Sequence, residues 1–587
     1  MTTTKPGVDV VIVGFGWAGS IAAKELVDEG LSVVVLEKGP LRTQSETFDT
    51  PRLFDELPYS TRNPQAVNKS RERITFRNNR EQTALPMRQF GSFNPSSGTA
   101  GSGLTWSGHT FRKLPSDFVL RSHITERYGR GFIPEDMTIQ DWGVTYQELE
   151  PFYDQFEYVA GISGFAGNVN GEIRSGGNPF EGPRQRDYPN PPLPRTNADK
   201  LFAQAAGALG YSPFPVPAAN STQDYTNPYG AQLSACQACG HCAAFGCTYS
   251  AKGSPLSTIL PALQDRQNLE LRHNAYVIRV NTTDDGARAT GVTYINAMGE
   301  AVEQPAQLVI LAAYGYNNPR LMLLSGIGQP YDPATGEGTI GRNYAYQRLT
   351  NVVGFYEGVN FNPYAAAGGT AMVIDDFNGD NFDHGPHDFI GGGFIGSFTS
   401  SGLPIRYHPT PPDAPRWGSG WKRAVVESYQ TATTLNVHAA CQSYRSNYLD
   451  LDPTYKDAWG QPLLRMTFDF GDNEYKMSNY ITDRAVEIAQ EMGAKQMIQI
   501  RREGPYDITQ YQTTHNVGGA IMGNDPSTSA VNRYLQSWDV PNLFVLGSSA
   551  FPQNTGYNPT GTVGALAYWA TDAIKTQYLR RPGALVS

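Results

Sequence analysis

Two short stretches of the chain carry residue types suited to chemistry rather than packing. The first runs from Cys236 through Cys239 and Cys242 to Cys247, a C-x2-C-x2-C-x4-C pattern that takes four of the five cysteines. Zinc would favour two cysteine pairs separated by a loop of roughly a dozen residues or more. Two disulfides in so short a loop would be strained. Compact cysteine runs of this kind hold iron–sulfur clusters, so the spacing favours a cluster over either rival. The fifth cysteine, Cys441, stands alone and reads as a core residue.

The second stretch is Gly14-Phe15-Gly16-Trp17-Ala18-Gly19, a GxGxxG turn. The elements around it decide what it does. Val8 to Val13 is a short β-branched run suited to a buried parallel strand, the following SIAAKELVDEG has helical patterning, and Leu31 to Leu36 forms a second strand ending at Glu37. In such a unit Gly14 permits the turn, Gly16 lets backbone approach a pyrophosphate, and Gly19 lets helix pack on strand. The helix N-terminus offers free N–H groups to phosphate, and Glu37 is placed to accept ribose hydroxyls. The motif predicts a dinucleotide without distinguishing a flavin from a nicotinamide.

The bulk composition sets limits. With 587 residues the chain should build two or more domains, and its 61 glycines and 41 prolines imply many turns. Hydrophobic residues at 40% and charged residues at 17% describe a folding, globular composition. The net charge of −9, with no long basic run, gives a nucleic-acid partner no electrostatic support. No stretch reaches the roughly 18–20 apolar residues of a membrane span. The opening MTTTKPG leads directly into a core strand, so export or membrane association is expected to depend on a partner.

Three further segments identify a resemblance. They are LVILAAYGYNNPRLMLLSGIG (308–328), THNVGGAIMG around His515, and NLFVLGSS followed by GYNPTGT (542–562). Together with the glycine turn they resemble the glucose–methanol–choline oxidoreductases. The resemblance implies FAD, bound by Gly14, Gly16, Gly19, Glu37, Val277, Ala312, Gly547, Ser548, Pro559 and Thr560. It implies His515 as the base that takes the substrate hydroxyl proton, with Asn558 orienting the alcohol beside the flavin. An imidazole suits the first role and an amide the second. The segment from Phe90 to Phe118 resembles the flavin-covering stretch, with Gly98, Gly101 and Gly103 allowing close approach, followed by Trp106 and Ser107. Thr105 stands where some relatives carry a flavin-linked histidine, and His109 lies four residues on, so FAD is expected to be non-covalent.

A bacterial subgroup, the catalytic subunits of heterotrimeric sugar and sugar-acid dehydrogenases, has a similar cysteine-rich insertion. This implies a 3Fe-4S centre on three or four of Cys236, Cys239, Cys242 and Cys247. Segments such as RSHITERYGRGFIPEDMTIQDWG and DDFNGDNFDHGPHDFIGG are similar to the gluconate-oxidising members. The implied reaction takes the C2 hydroxyl of D-gluconate to 2-keto-D-gluconate. Implied partners are a small Tat-signal-bearing subunit and a multihaem cytochrome c that passes electrons to quinone. The implied place is the periplasmic face of the inner membrane, reached only through those partners. Other sugars, polyols or sugar acids (2-ketogluconate, fructose, glucose, sorbitol) and an oxygen-using alcohol oxidase remain alternatives.

The expected fold is α/β: a Rossmann-like FAD-binding domain with an interleaved α+β substrate domain built on an antiparallel sheet. The flavin domain would gather 1–130, 225–345 and 505–587, including the cysteine loop 232–252. The substrate domain would use 131–224 and 346–504, with a helix from Met477 to Met492. Arg406, Arg416, Lys422 and Arg423 are candidate carboxylate anchors.

Overall fold

The computed structural model describes residues 3–43, 56–57, 66–68, 72–88, 91–398, 403–405 and 407–586. Phe90 and Arg406 lie outside the described residues. The β-branched run Val8–Val13 becomes the centre of a sheet, parallel to Val33–Leu36 on one side and to Ala301–Leu311 on the other. Leu269–Arg272 extends the first edge in parallel. The eleven-residue strand Ala301–Leu311 works twice. Its second half runs parallel to Val8–Val13 and Leu543–Val545, while its first half turns antiparallel to Ala289–Ile295. Strands Val10–Val13 and Val33–Leu36 are buried on both faces, which explains their unbroken apolar sequence.

Two helices cover this sheet near the glycine turn. Trp17–Asp28 follows the turn directly, and Thr560–Ala573 packs against it. The second helix also packs on Tyr146–Ala160, where Gly564 allows the approach: a Cβ there would lie 2.1 Å from the Phe156 ring. Tyr146–Ala160 starts at a capping box in which the Thr145 amide donates to the Glu148 carboxylate at 2.9 Å, and it ends at left-handed Gly161. Trp142, Tyr146 and Phe156 thus join the same core as Val10–Val13. Amphipathic pattern alone does not say what a helix will cover, and here residues on both sides of position 130 share one core.

The second unit is a sheet in the order Gln496–Ile500, Arg348–Phe355, Ala432–Ala439, Gly393–Ser397, Met372–Ile374, Phe214–Pro215, with every pairing antiparallel. Helices Asn197–Ala208 and Asp472–Glu491 bury one of its faces. The latter begins five residues before the expected Met477, because Glu474 closes its first turn by accepting the Gly471 amide at 3.0 Å. The uncovered face of this sheet looks toward the glycine turn, and the space between the two units is the site.

Candidate active site

A cavity of about 820 Å³ lies between the two sheets. Its nucleotide end is backbone. Gly14 has φ +101°, and a Cβ there would lie 2.5 Å from the Ala312 carbonyl oxygen. Gly16 lines the cavity, and a Cβ on it would meet no protein atom within 4 Å, so the space it borders is open to a ligand. Gly19 faces away from the cavity: a Cβ there would lie 2.0 Å from the Gly14 carbonyl oxygen, so its role is packing of helix on turn. Glu37 is buried and accepts the amides of Phe15 at 3.0 Å, Gly39 at 2.8 Å and Gly98 at 3.2 Å. Burial nonetheless raises its pKa, against those three bonds. It therefore ties the glycine turn to the covering segment, besides bordering the space a ribose would take.

The remaining expected flavin residues converge on the same cavity. Gly101, Gly103, Thr105, Trp106 and Ser107 line it from the covering segment, and Val277 and Ala312 from the first sheet. Gly547 and Ser548 line it too, as do Asn558, Pro559 and Thr560 at the N-terminus of Thr560–Ala573, where free amides favour negative charge. A glycine cradle, a helix N-terminus and a long cavity fit a flavin dinucleotide.

His515 and Asn558 meet at the other end, with Asn558 Nδ2 3.4 Å from His515 Nε2. The His515 tautomer follows from its second nitrogen. Gln347, fully buried one residue before the strand Arg348–Phe355, donates its Nε2 to the Gly556 carbonyl at 2.8 Å. Its Oε1 therefore faces His515 Nδ1, which must carry the hydrogen and donate it. That leaves the Nε2 lone pair toward the cavity. Burial pushes the His515 pKa down to about 3, and neighbouring His109 and the Lys113 ammonium push the same way. Lys113 is itself buried, its pKa lowered to about 8 by desolvation, with Nζ donating to Thr555 at 2.7 Å. The base is thus neutral and aimed.

Sequence reading missed several cavity residues. His438, Asn436 and Thr434 line the cavity from one face of Ala432–Ala439, and Leu349, Asn351 and Val353 from Arg348–Phe355. Period-two alternation in ATTLNVHA was the available signal. Gln347 offered none, because its partner lies 168 residues away. His109 also lines the cavity, with Nδ1 2.9 Å from Ser107 Oγ. Arg502 lines it as well, bonded to Gln510 Oε1 at 3.3 Å and the Tyr511 carbonyl at 3.4 Å. The candidate anchors Arg416, Lys422 and Arg423 are exposed, at or near the helix Gly418–Tyr429, and do not line it.

The cysteine loop abuts the flavin end. The Ala244 amide donates to the Thr105 carbonyl at 2.8 Å, and Ala243 and Ala244 line the large cavity. Cys236, Cys239, Cys242 and Cys247 share a second, small cavity and are not disulfide-bonded. Among the described residues no group of three or more His, Cys, Asp or Glu side chains is poised to hold a metal ion. The fold thus gathers the four thiols around one small cavity as separate, unbridged side chains. Burial pushes Cys236 up to about 11 and, against the pull of Lys252, Cys242 up to about 12. Lys252 is buried beside them and donates to the carbonyls of Trp106 at 2.8 Å, Cys242 at 2.9 Å and Phe245 at 2.9 Å. Cys441 is buried in the core, as expected.

Comparison with known proteins agrees with this geometry. Residues 195–348 and 443–567 match the two family models described as GMC oxidoreductase. The chain is 51% identical over 586 residues to the gluconate 2-dehydrogenase flavoprotein of Pantoea cypripedii, covering 99% of this chain and 95% of the relative. It is 28% identical to 2-methyl-1,2-propanediol dehydrogenase of Mycolicibacterium austroafricanum, covering 98% and 97% of the two chains. The fructose dehydrogenase large subunit of Gluconobacter japonicus is 26% identical, over 98% and 99%. The crystal structure of pyridoxine 4-oxidase from Mesorbium loti shares the fold with a TM-score of 0.60 at 16% identity, over 98% of this chain and 100% of that one. A dinucleotide cradle, an aimed neutral histidine and these likenesses along the whole chain lead to one conclusion: the protein belongs to the GMC oxidoreductase family and is an FAD-dependent oxidoreductase acting on CH–OH groups.

Proposed function

We propose that the chain oxidises the C2 hydroxyl of D-gluconate to 2-keto-D-gluconate. The observation that carries the reading is the His515 lone pair, fixed by Gln347 and directed into the cavity of a chain half identical to a gluconate 2-dehydrogenase flavoprotein. Asn558 Nδ2 and His515 Nε2 grip the reacting hydroxyl from two sides, one donating and one accepting. His515 takes the hydroxyl proton while the hydrogen on the same carbon leaves as hydride. FAD, when bound in the cradle, accepts that hydride. His515 Nδ1 keeps its bond to Gln347 throughout, so the ring does not turn as it charges.

The acceptor in this reading is a protein, not oxygen. Four thiols around one cavity, a buried Lys252 as counter-cation and a single turn between that cavity and the flavin support an iron–sulfur cluster at Cys236, Cys239, Cys242 and Cys247. A 3Fe-4S cluster there would pass electrons one at a time, as a cytochrome c partner requires. Among the described residues no helix is long and apolar enough to cross a membrane, which is compatible with attachment to the periplasmic face through a Tat-signal-bearing small subunit and a multihaem cytochrome.

A substrate panel with an artificial acceptor tests the reaction. Turnover of gluconate to 2-ketogluconate above fructose, glucose and sorbitol is expected, and absence of gluconate turnover would sink the assignment. Iron analysis and EPR of the oxidised protein test the cluster, and an iron-free, fully active preparation would remove it.

A further inference from the structure

We propose that His438 is a specificity-determining residue that donates a hydrogen bond to the substrate carboxylate on the carbon next to the one oxidised. The inference rests on the reading of the substrate as a 2-hydroxy acid and names the residue that recognises its acid group.

The backbone sets the position. In Ala432–Ala439 the alternate residues Thr434, Asn436 and His438 face the cavity. His438 stands in register with Leu349 on one neighbouring strand and Phe394 on the other. Its ring stacks on Phe394 with centroids 4.8 Å apart and 9° between planes, and Phe398 lies 5.5 Å away. These rings hold the imidazole plane with its centre 6.5 Å from that of His515. Two imidazoles so close, bordering one space, can each reach one of two oxygens on neighbouring carbons.

The chemistry then singles out His438 among the three cavity histidines. His515 bonds Gln347 through Nδ1, and His109 is within hydrogen-bond distance of Ser107 through Nδ1. His438 makes no side-chain hydrogen bond among the described residues; its Nδ1 is buried without a partner, as is His109 Nε2, and His438 Nε2, neither bonded nor buried, is the nitrogen left to the cavity. A buried polar ring left unpaired costs stability unless a bound molecule satisfies it. Burial keeps the ring neutral, with His515 and His109 acting in the same direction. A neutral imidazole still has one N–H to give, and a carboxylate offers acceptors only. Among the described residues no carboxylate side chain lines that end of the cavity. The one acid among the lining residues is Glu37, held by three amides at the glycine turn. Arg502, a competing anchor, lies beyond Ile500 at the far side of Arg348–Phe355, two strands across from Ala432–Ala439.

The test uses the flavin-loaded protein and measures Kd from the flavin spectrum and the single-turnover rate of flavin reduction. D-Gluconate is compared with sorbitol, which lacks the carboxylate, in wild type, H438A, H438Q and R502Q. H438A should weaken gluconate at least tenfold while shifting sorbitol less than twofold, and H438Q, which keeps a donor, should recover most of the loss. An unchanged flavin spectrum in H438A shows that the cavity is intact. Equal losses for both ligands, no loss for either, or a gluconate-selective loss in R502Q instead would each overturn the proposal. If wild type does not reduce its flavin with gluconate, the substrate reading fails separately. The same comparison is then made between the substrate found and its analogue lacking the neighbouring oxygen.

Discussion

The glycine turn at Gly14 to Gly19 and the imidazoles around His515 border one cavity, yet they are assembled in opposite ways. The turn is six contiguous residues acting through backbone, held by one strand, one helix and Glu37. The imidazole site takes His515 from a loop, Gln347 from the approach to one strand, His438 from another and Asn558 from a helix N-terminus. A contiguous backbone site fails when an atom is added, because there is no room. A convergent side-chain site fails when a polar partner is removed, because a lone pair loses its direction.

The largest effect should come from adding atoms to the turn. A side chain on Gly19 would strike the Gly14 carbonyl, so G19V should lose nearly all bound flavin, read as visible absorbance per protein. G16A sharpens the comparison, since its methyl meets no protein atom. It should keep wild-type thermal stability without ligand and still bind flavin more weakly. Wild-type flavin content in both variants would break the account of the cradle.

On the imidazole side, H515A should retain flavin yet slow its reduction by substrate by about 10²–10⁴-fold, the range for removing a general base. Flavin loss comparable to that of G19V would instead make His515 part of the cradle.

Gln347 separates aim from basicity. Q347L removes the Nδ1 acceptor and should slow flavin reduction roughly tenfold, the equivalent of about 1.4 kcal/mol for one hydrogen bond. Q347E places a carboxylate against Nδ1 and favours the imidazolium, so the His515 pKa rises and the base is lost at low pH. Wild type, held at about 3, should show no acid limb from His515 above pH 5, whereas Q347E should gain rate as pH rises. A flat profile in Q347E would refute the tautomer assignment.

The smallest effect is on stability. His109, at about 4, His515, at about 3, and His438, well below its usual range, are all neutral when folded, while each titrates near 6.5 when unfolded. Between pH 6.5 and about 4 the unfolded chain binds more protons, so stability falls as pH falls. Each histidine contributes at most about 1.4 kcal/mol per pH unit. Denaturant unfolding at pH 7, 6 and 5 should show the slope, and H109Q should lessen it.

The cysteine loop shows where local reading stops. Spacing brings four thiols to one loop, and the fold does place all four around one cavity. Their surroundings were not legible, because the burial of Cys242 and the approach of Lys252 come from the packing around the loop. Likewise the packing of Tyr146–Ala160 on Thr560–Ala573, some 400 residues away in sequence, was not legible from either segment alone.

By itself the sequence determined whatever is local: the β-branched strand, the glycine turn, the acid at Glu37, the cysteine spacing, and His515 and Asn558 in their motifs. Short-range sterics and periodicity dictate these, so neighbours along the chain suffice. Only the tertiary structure decided which nitrogen of His515 bears the proton, that Gln347 holds it, that His438 joins it and that the candidate anchors Arg416, Lys422 and Arg423 are not among the cavity's lining residues. Hydrogen-bond direction and desolvation depend on groups brought together from distant segments, and no spacing along the chain encodes them.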